Sequence, residues 1–232
     1  MNSAMPGVKR AGPLRMSRRE RAKATHWRIV RAAYTLFCAQ GYAATTMAQI
    51  AEVAAVAVQT VYFGFHVKSA LLSRAYDFAV MGEDEPVPPE MQPWYGAMAA
   101  ESDVVRALGH MVEGLGEITR RVTPLYLAAR AAADGDPEAA KVIALHERWR
   151  ADGYRRLLEL LRRKAALRPG LTLKRATDLL LLFGGMDVYH ALVVTQRWTH
   201  QEWVDWSAST LAHQLFGYVP NSRRRLPRGA CK

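Results

Sequence analysis

The stretch from Thr45 to Leu72, TTMAQIAEVAAVAVQTVYFGFHVKSALL, restricts what this chain can fold into more than any other. Thr46-Met47-Ala48-Gln49 has capping-box spacing, in which the hydroxyl and the glutamine side chain satisfy backbone amides at a helix start. It opens a short helix with Ile50, Ala51, Val53 and Ala54 inward. A second short helix covers about 58–63, and another begins near Lys68. Helices this short and this close must cross at a tight turn. Ile50, Val53, Val56, Val61, Tyr62 and Phe65 supply an apolar set to lock them together. The pattern outlines a helix-turn-helix, about residues 46–65, whose second helix suits a DNA major groove.

The flanks are helical too. Ser17-Arg18-Arg19-Glu20 is another capping box, and Ile29, Ala32, Ala33, Leu36 and Phe37 recur on one face up to Gly41, a good residue just past a helix end. The helix begun at Lys68 runs to about Met81. The acidic, proline-rich GEDEPVPP that follows breaks the pattern and marks a boundary. Beyond it, Ser102 caps a helix to about Arg121, and Thr123-Pro124 starts another, with proline in the first turn. Asp136-Pro137-Glu138 caps a long helix to about Leu167. Thr172 opens one to about Trp198, and the Thr199 to Glu202 capping box opens the last, to about Phe216. No alternating strand pattern of useful length occurs. The expected class is all-α, divided into a flexible basic arm (1–16), a three-helix helix-turn-helix domain (17–82), a helical domain (83–219) and a basic tail (220–232).

Charge is distributed to match. Residues 1–31 hold nine Lys or Arg against the single acid Glu20, and the tail after Asn221 holds five cations and no acid. The body between is close to neutral although the chain as a whole carries +11. Cationic ends on a neutral body suit a polyanionic partner. The two cysteines, Cys38 and Cys231, supply neither a disulfide framework nor a zinc site, and a reducing cytoplasm fits. The apolar run Leu179–Met186 lies between Asp178 and Asp187 and is far short of a membrane span. No cofactor or metal is expected.

The exposed side of the second short helix carries Val58, Gln59, Thr60, Phe63 and Gly64. Gln59 suits an adenine edge, Thr60 a base or phosphate, and Val58 and Phe63 thymine methyl groups. Tyr62 can turn its hydroxyl to a phosphate. Thr45, Thr46, His66 and Lys68 lie at helix ends, where hydroxyls, amides and an ammonium fix the register on the backbone. The alternative for each residue taken singly is a surface or capping role.

Residues 28–72 resemble the DNA-binding domain of the TetR family of bacterial repressors. The matching positions are Ala32-Ala33, Leu36-Phe37, Gly41-Tyr42, Ala44-Thr45-Thr46, Ile50-Ala51, Val56, Thr60-Val61-Tyr62, Phe65, Lys68 and Leu71-Leu72. The resemblance implies a dimer bound to a palindromic double-stranded operator, with a C-terminal domain whose small-molecule effector lowers DNA affinity. This chain departs from the family pattern at Ala55, where glycine is usual in the turn, and at Ala57, where Ser or Thr usually caps the recognition helix. It departs again at Gly64, often aromatic or His, and at Val67, often Ser, Thr or Asn.

The helical body places Trp94, Tyr95, Met98, His110, Met111, Leu115, Tyr126, Trp149, Phe183, Met186, Tyr189 and His190 at helical spacings. Most of such a set is core. Under the resemblance, a subset would line an effector pocket, with His110, Met111, Tyr126, Trp149, Phe183, Met186, Tyr189 and His190 the candidates and a largely apolar effector the expected occupant. The last two helices would pair the protomers of a homodimer, with Val188, Ala191, Leu192, Thr195, Trp203, Trp206, Leu211 and Leu215 as apolar surface.

Rival classes leave fewer marks. His146-Glu147-Arg148 lacks the second His of a zinc helix, since position 150 is Arg; Gly114-Leu115-Gly116 lacks the third glycine of a dinucleotide loop; Asp134-Gly135-Asp136 lacks the other calcium ligands. An enzyme is therefore not expected. The stronger rival is a helical ligand-binding or interaction module whose specific DNA binding is weakened or lost, motivated by Ala55, Ala57 and Gly64.

Overall fold

The computed structural model describes residues 17–82 and 87–219. The basic arm, the basic tail and the acidic centre of the linker lie outside the described residues. All regular structure among the described residues is helical. Four helices form the N-terminal unit: α1 (Arg18–Gln40), α2 (Met47–Val53), α3 (Val58–Phe65) and α4 (Lys68–Met81). After a short 3-10 turn at Pro89–Met91 come α5 (Pro93–Ala100), α6 (Val104–Ala133), α7 (Pro137–Leu161), α8 (Leu173–Phe183), α9 (Met186–Tyr189) and α10 (His200–Phe216).

The capping signals act where the spacing places them. Both halves of the capping box are present at Ser17, at Thr46 and at Thr199. Gly41 closes α1 at φ 88°, and Gly217 closes α10 in the left-handed region.

Three expectations are corrected. The first concerns Pro124, which does not start a helix: α6 runs unbroken through it. Asp103, not Ser102, is the cap, accepting from the Arg106 amide. Proline removes one helical donor and crowds the turn before it. In that turn the Tyr34 hydroxyl of α1 donates to the Arg121 carbonyl at 2.8 Å, and Thr123 donates its hydroxyl to the Thr119 carbonyl. Tertiary packing thus tolerates what local preference disfavours.

The second correction is to α7, which ends at Leu161, short of Leu167. The chain turns because Lys164 donates to the carbonyls of Ala99 and Glu101 at the end of α5, and the Arg168 amide donates to Leu215.

The third is the expected helix 172–198, which breaks at Gly184-Gly185. A Cβ on Gly185 would sit 2.4 Å from the Leu181 carbonyl oxygen. The break is held by hydroxyls from two other helices: Thr119 donates to the Gly184 carbonyl and Ser207 to the Phe183 carbonyl. From His190 to Thr195 the chain winds as a π-helix. By length and composition Leu173–Thr195 is apolar enough to cross a membrane. Here it is broken by the glycine pair, and it packs through α8 on α7 and through α9 on α6.

The core falls into two buried clusters. One joins α1–α4 to Val122, Leu125 and Ala129 of α6, Ala139 of α7, and Met186. The other fills the space between α5, α6, α7, α8 and α10 around Met98, Leu108, Met111, Leu158, Leu180, Trp203, Leu211 and Leu215. Arg121 of α6 donates to the Ala79 and Val80 carbonyls near the end of α4, tying that helix to the body.

Candidate nucleic-acid interface and ligand cavity

α2 and α3 meet at 113°, the crossing of a helix-turn-helix. Ile50, Ala51, Ala54, Val61 and Phe65 are buried at their joint. Three side chains of the expected locking set are not: Val56 is half-buried, Val53 is 56% exposed and Tyr62 49% exposed. Val53 falls off the stripe of α2 that buries Met47, Ile50, Ala51 and Ala54, and Tyr62 lies on the exposed side of α3.

The turn carries strain where the chain departs from the family pattern. Ala55 sits at φ 51°, in the left-handed region that favours glycine. Ala57 caps α3, and Val67 caps α4, without any side-chain hydrogen bond. His66, at the end of α3, also has positive φ.

The expected DNA contacts divide into two groups. Gln59, Thr60, Tyr62, Phe63 and His66 are exposed on or beside α3, as is Thr46 at the start of α2; Val58 is half-buried. Phe63 is 86% exposed. Thr45 and Lys68 are otherwise engaged. Thr45 is buried, donating its hydroxyl to the Gly41 carbonyl and accepting from Gln40. Lys68 donates to the carbonyls of Tyr42, Ala43 and Thr45, spending all three ammonium protons on the loop between α1 and α2. In this DNA-free arrangement both side chains brace the loop between α1 and α2.

A cavity of about 250 Å³ lies between α4, α5, α6 and α7. Tyr76, Trp94, Tyr95, Leu115, Ile118, Trp149 and Tyr154 give it a largely aromatic and apolar wall, with Asp77, Thr119, His146, Glu147 and Arg150 as polar groups. Gly114 seats Trp94: a Cβ there would fall 2.1 Å from the indole. Gln92 accepts from the Trp94 ring nitrogen and donates to the Val80 and Val87 carbonyls, linking this wall to the end of α4. His146 stacks on Tyr76 at 4.5 Å, and its Nε2 lies 3.2 Å from the Ser73 hydroxyl. Burial lowers its pKa from 6.5 to about 4, so the ring is neutral. Burial likewise pushes the phenols of Tyr76 and Tyr154 up. Arg150 pairs with Glu147 and lies over the Tyr154 ring. The Tyr76 hydroxyl and the Arg150 Nε are shut off from water and have no hydrogen-bond partner among the described residues.

Of the effector candidates named from sequence, Trp149 and Met186 line this cavity. The other six lie elsewhere. His110 is half-buried on α6, and Met111 is fully buried in the second core cluster. Tyr126 bonds Asp187, and Phe183 packs edge-on against Trp206. Tyr189 bonds and packs against His200, and His190 opens the π-helix. Sequence reasoning missed Tyr76, His146, Glu147, Arg150 and Tyr154. The α7 members had a signal: 146, 150, 153, 154 and 157 form one helical stripe of mixed polarity.

Residues 29–75 match the family described as bacterial regulatory proteins, tetR family. The match spans the helix-turn-helix, from within α1 to within α4. This similarity supports a DNA-binding transcriptional regulator, and the regular structure of the described residues is helical throughout. No curated protein matches this chain in sequence. Its fold is shared with NalD of Pseudomonas aeruginosa, the secondary repressor of the MexAB-OprM multidrug efflux pump (TM-score 0.62, 20% identity, 85% of this chain and 98% of that one). It is shared too with the fatty acid degradation regulator FadR of Bacillus halodurans (TM-score 0.66, 18% identity, 88% and 96%). A TetR transcription regulator of Haloarcula marismortui is similar as well (TM-score 0.58, 14% identity, 83% and 96%).

Proposed function

We propose that this protein is a TetR-type repressor that occupies a palindromic operator as a homodimer and leaves it when a small, largely apolar molecule enters the cavity between α4, α5, α6 and α7. The observation that carries the proposal is the double role of α4. Leu71, Leu72, Ala75 and Phe78 are buried in the core shared with the reading head, whereas Tyr76, Asp77, Val80 and Met81 line the cavity. Only His66 and Val67 separate α3 from α4. An occupant that displaces α4 displaces α3 with it. It shifts DNA affinity by the difference in its own affinity for the DNA-bound and free arrangements.

Residues 17–82 act as the reading unit, and the basic arm and tail add phosphate attraction that carries no sequence information. The dimer face falls on α8, α9 and the π-helix. Only a third of the most apolar window of Leu173–Thr195 is buried, and Leu182 and Val194 are 55% and 45% exposed. Trp203, Leu211 and Leu215, expected on this face, are buried in the protomer's own core and contribute nothing to it. Trp206, Val188 and Leu192 are half-buried and remain at its edge. That NalD is a repressor and FadR a regulator supports the reading by analogy of fold.

Footprinting on the DNA upstream of the gene tests the proposal: a protected palindrome, with two chains bound per site, is expected. A second reading, a ligand-binding module with weakened DNA specificity, is favoured by the strained Ala55 and the uncapped starts of α3 and α4. An absence of any protected site would decide for it.

A further inference from the structure

We infer that α3 reads thymine-bearing base pairs, so that each operator half-site is rich in A·T pairs where the helix lies in the groove, with Phe63 packed on thymine C5 methyl groups and Gln59 paired to adenine. The inference rests on the DNA-binding reading above and adds the class of base that is read.

Gln59, Thr60, Phe63 and Gly64 share the exposed face of α3. From Thr45 to Val67 the only Lys, Arg, Asp or Glu is Glu52, which belongs to α2. Guanine is most often recognised by Arg or Lys reaching O6 and N7 together, and cytosine by a carboxylate accepting from N4. α3 carries neither. Lys68, the nearest cation in sequence, has its ammonium held by three carbonyls. The signatures this face does match are the adenine edge, which takes a bidentate amide, and the thymine methyl, which takes an apolar contact.

Phe63 at 86% is the most exposed large apolar side chain among the described residues. A bare phenyl on a reading helix is disfavoured in water and gains when an apolar group covers it. Beside it Gly64 carries no side chain, and a Cβ built there would meet nothing within 4 Å, so this part of the α3 surface is open to a close approach.

The test begins with selection from a random duplex library by the full chain. Affinity is then measured by fluorescence anisotropy on the recovered site and on the same site with deoxyuridine in place of thymine. That replacement removes only the C5 methyl. The expected result is a half-site of A·T pairs under α3, with a loss of about three- to fivefold for each methyl removed beneath Phe63. Phe63→Ala should bind thymine and uracil sites alike, and Phe63→Leu should keep part of the discrimination. Because Phe63 is exposed, both variants should melt with the parent protein. A G·C half-site, equal affinity of the parent for thymine and uracil sites, or discrimination surviving in Phe63→Ala would overturn the inference while leaving operator binding intact. A library with no enriched sequence would overturn specific DNA binding itself, and this inference with it.

Discussion

The Lys68 ammonium sits 4.3 Å from the centre of the Tyr42 ring and donates to the Tyr42 carbonyl at 3.0 Å. It thereby joins the start of α4 to the loop between α1 and α2. Lys68→Ala should therefore cost about 1.5–3 kcal/mol of stability, the range for hydrogen bonds to a charged group. A chemical denaturation series measures it. The slope of DNA affinity against salt should not change, because no phosphate contact is lost; a slope reduced by about one would mean that Lys68 does meet a phosphate.

Ala55→Gly should stabilise the protein. A left-handed alanine costs roughly 1–2 kcal/mol, and the added freedom of glycine in the unfolded chain returns part of that. The expected gain is about 0.5–1 kcal/mol, read as a higher denaturation midpoint. Ala57→Ser should add about 1 kcal/mol by capping α3. A destabilised Ala55→Gly variant would mean that the turn does not adopt φ 51° in solution.

His146 makes stability depend on pH. Its folded pKa of about 4 lies below its ordinary 6.5, so the unfolded chain takes up a proton first as pH falls. The contribution is complete above pH 6.5 and is lost as pH drops towards 4. Discounted for partial exposure, it is on the order of 2 kcal/mol. His26, lowered by burial and by Arg74, adds to the same trend. Thermal melts across this range should show a shallower slope for His146→Gln than for the parent.

Gly114→Ala should disturb the cavity wall. The new methyl would overlap the Trp94 indole, and overpacking of this kind costs about 1–3 kcal/mol. The Trp94 ring must move off its bond to Gln92, which should be visible as a shifted indole N–H resonance.

Much of the helix layout was legible in the sequence because its signals are local. The capping boxes at Ser17, Thr46 and Thr199, and the glycine after Gln40, are satisfied within a few residues of themselves, and the structure uses each one. What escaped depends on distant partners. The continuity of α6 through Pro124 has support from Tyr34. The break at Gly184-Gly185 is held by Thr119 and Ser207. The bonds from Lys68 to the carbonyls of the α1–α2 loop join residues more than twenty positions apart. The cavity was least legible. Its wall is shared between α4, which reads as part of the head, and α7, whose stripe mixes histidine, arginine and tyrosine and does not resemble an apolar pocket face.

The proposed coupling between the cavity and the reading helix runs through α4. The decisive measurement is the operator affinity of the full chain with and without a saturating cavity ligand found by thermal-shift screening, repeated in Gly153→Phe. Position 153 lines the cavity, and a Cβ there has no neighbour closer than 3.8 Å, so the phenyl can fill the space. If the coupling holds, the ligand weakens operator binding by at least about fivefold, the operator weakens ligand binding by the same factor, and Gly153→Phe abolishes both effects. A ligand that occupies the cavity and leaves operator affinity unchanged would contradict it.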